Sequence, residues 1–313
     1  MKLVYSSRYG VDIGPHVFPT QKYALIADRV GIGDESRQSA GTTSVPVTEP
    51  ATWDELALVH TPEYLAKMRD GTMTADDIAA LELPWSQAMV DAFRLMTGGT
   101  IQAALIACGP DFRLLASDFR VVCHIGGGLH HAFPNHGEGF CPFNDVAVAA
   151  RVLQQRGLER IAIVDLDVHH GNGTAFIFES DDRVFTFSMH QQHNYPVWKP
   201  RGSLDIGLAD GTHDEVYLAA LERALPTVMA HEPDCVFYLA GADPFEDDQL
   251  GGLRLTKAGL RARDRMVIDA AKGAGIPLIV TLAGGYARNV DDTVAIHTAT
   301  IEEAAAAMTD SSG

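Results

Sequence analysis

The sequence predicts an open, mostly parallel α/β sheet with helices on both faces. Three observations predict it. Short apolar, β-branched runs recur along the chain and are separated by Ala-rich amphipathic stretches, the alternation that builds βαβ units. The runs lack a polar face, as strands buried on both sides require. Residues suited to metal binding and proton transfer follow several of the runs directly, and ligands bind beyond the carboxyl ends of strands in sheets of this kind.

The elements follow in order. Lys2–Tyr5 is the first strand. Gly31–Thr52, rich in Gly, Ser, Thr and Pro, reads as an irregular surface loop. Trp85–Ala107 is a long amphipathic helix leading to strand Val121–His124. Helix Val146–Arg156 precedes strand Ile161–Asp165. Val184–Ser188 and Val236–Ala240 are further strands. Helix Leu260–Ala274, strand Leu278–Leu282 and helix Asp291–Ala307 complete the alternation. No Pro/Ser-rich linker and no internal repeat divides the 313 residues. One domain over residues 1–307 is expected, with a frayed tail at Met308–Gly313.

Bulk properties narrow the function classes. Hydrophobic residues make up 46% and charged residues 21%, the balance of an ordinary globular enzyme. No run of 18 apolar residues is present, so no membrane span is expected. The opening residues reach Arg8 too early for a signal-peptide core. Cys108, Cys123, Cys141 and Cys235 are scattered with no C-x-x-C pair. Neither a disulfide framework nor a thiolate zinc site is expected, and a cytoplasmic location is. A net charge of −17 argues against a nucleic-acid surface. It would suit a cationic substrate, although solubility alone accounts for it.

Four segments carry chemistry. Asp165-Leu166-Asp167-Val168-His169-His170-Gly171-Asn172-Gly173 follows the run Ile161–Val164. In a strand, residues i and i+2 share a face, so Asp167 and His169 can grip one ion. Gly126-Gly127-Gly128-Leu129-His130-His131 can bring two imidazoles to one cleft, a weak signal by itself. Ala240-Gly241-Ala242-Asp243 places a carboxylate past a buried strand, and Ala283-Gly284-Gly285-Tyr286 places a phenol past another. Each could be a plain turn. All four standing at strand ends makes coincidence a poor account.

On these segments the chain resembles the zinc-dependent histone deacetylase family, which has the arginase/deacetylase fold. The matching pieces are G-G-L-H-H-A, G-F-C-P-F-N-D at 139–145, V-D-L-D-V-H-H-G-N-G at 164–173, L-A-G-A-D at 239–243, L-G-G-L at 250–253, A-G-G-Y at 283–286 and V-H-T-P-E-Y-L at 59–65. They run in family order over nearly the whole chain. The closest flavour is that of the class IV-like members and the bacterial histone deacetylase-like amidohydrolases. The resemblance implies a single three-layer domain and hydrolysis of an N-acyl amine, foremost N-ε-acyl-lysine, acetyl or longer.

The resemblance also implies roles. Asp167, His169 and Asp243 would ligate Zn²⁺, with Fe²⁺ as an alternative. His131 would be the general base, His130 its electrostatic partner and Tyr286 the donor to the oxyanion. Asp165 would support His130. A structural K⁺ or Na⁺ would sit on Asp165, Ser188 and the carbonyls of Asp167, His169 and Met189, and a second on carbonyls of Phe178, Asp181 and Val184. Gly139, Phe140, Tyr195 and Leu250 would wall a substrate tunnel. Leu129 stands where a bulky aromatic often precedes the histidine pair, and this predicts room for a longer acyl chain.

One departure stands out. Asn172 replaces the Asp that many members place beside the second histidine, and predicts a lower His131 pKa than in Asp-bearing relatives. Three other readings compete. A binuclear arginase-like site would need further acidic ligands, but Gly171 and Phe245 stand two residues beyond His169 and Asp243. An acetylpolyamine amidohydrolase would share every catalytic residue, and the acidic charge fits a polycation. A non-catalytic binding module would lack a ligand or the tyrosine, and here none is missing. Oligomeric state leaves no signature in the sequence.

Overall fold

The computed structural model describes residues 1–33, 41–109 and 119–309. The strands among them are β1 (Lys2–Tyr5), β2 (Thr43–Pro46), β3 (Val121–His124), β4 (Ile161–Asp165), β5 (Val184–Gln191), β6 (Leu204–Leu208), β7 (Cys235–Leu239) and β8 (Leu278–Thr281). They form one sheet in the order β2-β1-β3-β8-β7-β4-β5-β6, parallel at every pairing. Strands β3, β8, β7 and β4 are buried along their whole length, as a sheet covered on both faces demands.

Register aligns the site. Asp165 pairs with Leu239, Leu239 with Thr281, and Thr281 with His124. The four central strands therefore end level, and the loop leaving each one carries a predicted functional segment.

The helices are α1 (Lys22–Arg29), α2 (Trp53–Leu56), α3 (Pro62–Asp70), α4 (Ala75–Leu81), α5 (Gln87–Cys108), α6 (Asp145–Gln155), α7 (Asn172–Phe178), α8 (Asp214–Met229), α9 (Lys257–Gly273) and α10 (Val290–Thr309). They make two layers. One has α5 on α6; the other has α10 on α1 and α9, and α9 on α8; both layers meet β3. From α9, the buried Arg263 guanidinium reaches the carbonyls of Gly241 at 2.6 Å and Leu166 at 3.4 Å. It is paired with the equally buried Asp264 at 2.8 Å. That ion pair braces the two loops that carry Asp167 and Asp243.

The structure corrects the sequence reading in several places. The loop expected over Gly31–Thr52 contains β2, although residues 34–40 lie outside the described residues. This four-residue edge strand is half-exposed and ends at Pro46, which an edge position tolerates. Opposite, β6 alternates in burial on the other edge. Met308 and Thr309 belong to α10 rather than to a frayed tail, and residues 310–313 lie outside the described residues.

Candidate active site and metal centre

Asp167 and His169 come together by turns and not by strand alternation. Strand β4 ends at Asp165, and the next residues bend. Asp167 N–H donates to Asp165 Oδ1 at 3.1 Å, and His169 N–H to Asp167 Oδ1 at 3.0 Å. Such bonds to the backbone two residues on are what Asp side chains make in turns. Asp243 enters from the end of β7 and accepts from Val168 N–H at 2.9 Å. His169 Nδ1 lies 3.0 Å from Asp167 Oδ1 and 3.4 Å from Asp243 Oδ2.

One ligand atom from each of Asp167, His169 and Asp243 falls within 4.8 Å of the others, all three residues buried. Gly284 permits this approach. Its N–H donates to Asp167 Oδ2 at 2.9 Å, and a Cβ there would stand 2.1 Å from Asp243 Oδ2 and 2.5 Å from Asp167 Oδ2. Asp243 Oδ2 is buried and makes no hydrogen bond. Burial, joined by the Asp167 charge, pushes the Asp243 carboxyl up. Burial would lower the His169 pKa, but Asp167 and Asp243 outweigh it and lift it to about 10. A pocket that attracts a positive charge so strongly, through two carboxylates and one imidazole, fits a single Zn²⁺ with an open coordination position.

Beside the triad stand the paired histidines. His130 Nδ1 meets Asp165 Oδ2 at 2.6 Å and His131 Nδ1 meets Asn172 Oδ1 at 2.7 Å, while the two Nε2 atoms are 3.1 Å apart. The loop before them is pinned by Asp145, which accepts from Gly128 N–H at 3.1 Å and Leu129 N–H at 2.7 Å. Burial would lower the His130 pKa, but Asp165 and Asp167 carry it to about 9. For His131 burial dominates, reinforced by the positive charge on His130 and His169, and its pKa falls well below the usual value. Environments that push two neighbouring groups apart in this way mark acid/base assignments. The hydrogen bond with Asn172 works the other way, raising the His131 pKa against that burial.

A cleft of about 200 Å³ leads to this centre, lined by His131, His169 and Tyr286 together with Gly139, Phe140, Tyr195, Asn194, Leu250 and Glu82. Every predicted tunnel residue except Leu129 lines it. Burial and the nearby Asp167 and Asp243 charges hold the Tyr286 phenol well above its usual pKa, so it stays a proton donor. Phe140 is delivered by a tight turn closed between Glu138 and Cys141. Its central residues Gly139 and Phe140 have φ of 51° and 66°, the positive pair of a type I′ turn.

Leu129 lines a deeper void of about 20 Å³ with Phe18, Tyr23 and Ala283. That is room for about one water. In the first predicted cation site, β4–β5 pairing sets Asp165 opposite Ser188. Ser188 Oγ also lies 3.1 Å from His190 Nδ1. In the second, the carbonyls of Phe178 and Asp181 accept from the N–H groups of Asp181 and Val184 at 3.0 and 2.9 Å.

Glu82 and Lys22 are among the residues of the site that escaped sequence reading. Glu82 caps α4 in the left-handed conformation, with φ 58°, and opens onto the cleft. Lys22 is fully buried, donates to Ala283 O at 2.7 Å and sits 5.9 Å from the Tyr286 ring centroid. Burial lowers its pKa to about 8. Both are common residue types without a local motif.

The Histone deacetylase domain matches residues 16–301. An uncharacterised protein of Picosynechococcus sp. is 45% identical over 244 residues, covering 77% of this chain and 78% of its own. Histone deacetylase 2 of Arabidopsis thaliana is 28% identical over 306 residues, 92% of this chain and 75% of its own. The histone deacetylase-like amidohydrolase of Pseudomonas aeruginosa is 31% identical over 253 residues, 76% and 64%. Among solved structures, the HD domain of HDA15 superposes with a TM-score of 0.80 at 26% identity, over 97% of this chain and 88% of the other. A histone deacetylase homolog complexed with SAHA gives 0.79 at 26% identity, over 97% and 83%. With its parallel sheet and the residues gathered at the strand ends, the chain belongs to the histone deacetylase family of hydrolases.

Proposed function

We propose that the chain is a zinc-dependent N-ε-acetyl-lysine deacetylase that uses Asp167, His169 and Asp243 as its metal ligands. The observation that carries this reading is the buried Asp167–His169–Asp243 cluster at the end of an aromatic-walled cleft, beside a histidine pair with opposed proton affinities. When bound, Zn²⁺ supplies Lewis-acid polarisation of the acyl carbonyl and a water of lowered pKa.

The chain's own groups do the rest. Phe140 and Tyr195 clasp the aliphatic lysyl stem, an apolar fit between rigid rings. His131 Nε2, neutral in its environment, takes the proton of the attacking water. His130, held cationic by Asp165, favours negative charge developing beside it. Tyr286 donates a hydrogen bond from its hydroxyl to the oxyanion and keeps its proton. The protonated His131 then delivers its proton to the departing amine, leaving free lysine and acetate. The 20 Å³ void at Leu129 supports acetyl over longer acyl groups. A K⁺ or Na⁺ on Asp165, Ser188 and the neighbouring carbonyls would brace the loop after β4. A cytoplasmic location belongs to the same reading, supported by four free buried cysteines.

A second reading, acetylpolyamine hydrolysis, is favoured by Glu82 at the cleft mouth and by the net charge of −17. Amine release from matched acetyl-lysine peptides, long-acyl peptides and acetylpolyamines, using zinc-reconstituted protein, separates the readings. Acetyl-lysine turnover that falls about 10²–10³-fold in Tyr286→Phe, with zinc content unchanged, is the expected result. Turnover of polyamines alone would replace the proposal with the second reading.

A further inference from the structure

We infer that Glu138 is a positioning residue that fixes the tautomer of His131 by orienting the Asn172 amide, and that it ties this setting to the wall of the substrate cleft. The inference rests on the functional reading above and adds a residue to it. Glu138 Oε1 accepts from Asn172 Nδ2 at 2.7 Å and from Tyr195 OH at 3.0 Å. Its other oxygen, Oε2, lies 3.2 Å from His136 Nε2.

Which atoms can donate decides the tautomer. An ionised carboxylate accepts and never donates. Burial pushes the Glu138 carboxyl up, but hydrogen bonds from His136, Asn172 and Tyr195 together leave it below the usual carboxylate range. The amide face toward Glu138 must therefore be the NH₂ group. The opposite face, 2.7 Å from His131 Nδ1, must be the carbonyl oxygen, which only accepts. So Nδ1 of His131 carries a proton, and Nε2 keeps its lone pair in the neutral ring. Amide and imidazole orientations follow from such networks and not from atom positions alone.

Turning the Asn172 amide over would set two oxygens against each other at Glu138. It would also present an N–H donor to His131 Nδ1 and favour the other tautomer, which has no lone pair on Nε2.

Glu138 can reach Asn172 because of the turn it starts. Gly139 lies so close that a Cβ would stand 2.7 Å from His131 Cδ2 and 2.9 Å from Tyr195 Cε1. Tyr195 itself packs edge-on to His131, ring centroids 5.0 Å apart. The same carboxylate oxygen thus holds a ring that walls the cleft and the amide that sets the base.

The test uses zinc-loaded enzyme with ¹⁵N-labelled histidine. In the parent, NMR should show His131 as the Nδ1–H tautomer. In Glu138→Ala the other tautomer should appear, and kcat should fall about tenfold to a hundredfold, the usual effect of removing a partner behind a site residue. Glu138→Gln, whose oxygen can accept from both Asn172 and Tyr195, should restore kcat to within about threefold. Tyr195→Phe should leave the tautomer as it is. An unchanged tautomer in Glu138→Ala, or a glutamine variant as poor as the alanine one, overturns the inference. Glu138→Ser gives the same comparison should the alanine variant not fold. If the parent hydrolyses no acyl amine the functional reading fails, while the tautomer comparison still tests Glu138.

Discussion

Asp243 depends on a neighbour that has no side chain at all. Its Oδ2 faces the centre without a hydrogen bond, and Gly284 leaves it the space. An alanine at 284 would place a methyl carbon 2.1 Å from that oxygen, well inside van der Waals contact, so one of the two carboxylates must move. Gly284→Ala is expected to weaken zinc binding by at least about tenfold, in the range set by disturbing a ligand's support. Competition against a chromophoric chelator measures this, and affinity equal to the parent's would refute it. At this scale Asp167, His169, Asp243, His130, His131 and Tyr286 could be singled out in the sequence because each stands in a motif that the resemblance to the histone deacetylases matches. Glu82, Glu138 and Lys22 were not, since each acts through a distant contact that no local pattern encodes.

Among the elements, α4 shows stability given up for placement. Its capping box at Thr74 and Asp77 secures the start, and its end is Glu82 in the left-handed region, a conformation that costs a non-glycine residue roughly 1–2 kcal/mol and that glycine adopts readily. Glu82→Gly is expected to raise unfolding free energy by about 1 kcal/mol in urea titration. It should also raise KM for cationic substrates, because the carboxylate leaves the cleft mouth. A stability gain without a KM change would show that Glu82 does not meet substrate. Element reading from sequence succeeded where strands are buried and apolar, as in β3, β4, β7 and β8. It failed at β2 and β6, which sit on the two sheet edges and so lack the continuous apolar run. It also took the Asp167–His169 pairing as strand geometry, when a side-chain-capped turn makes it.

The whole molecule stores opposing titrations. Burial holds His60 at about 4 and His124 at about 3. Each stays neutral in the native state while the unfolded chain takes up protons below about 6.5. Their stability contribution is therefore full above about 6.5 and is lost as pH falls toward 4, on the order of 3 kcal/mol each at the limit. His130 runs the other way. Burial would lower its pKa, but Asp165 and Asp167 raise it to about 9, so its contribution is full below about 6.5 and is lost as pH rises through 9. The melting temperature should peak near pH 6.5 and fall on both sides of it, toward 4 and toward 9, and His124→Gln should flatten the acid limb. Scanning calorimetry across pH 4–10 checks this; an acid limb equally steep in the variant would remove His124 from the account.

The sheet order makes one short strand a keystone. Strand β8, drawn from near the end of the described chain, lies between β3 and β7, and the segment after it supplies Gly284 and Tyr286. Without β8 the sheet would be two halves, β2-β1-β3 and β7-β4-β5-β6, with an unfilled slot between them. Asp167, His169 and Asp243 all precede β8 in the chain, and the wall that presses on them follows it. One four-residue strand therefore both joins the halves of the sheet and closes the centre they share.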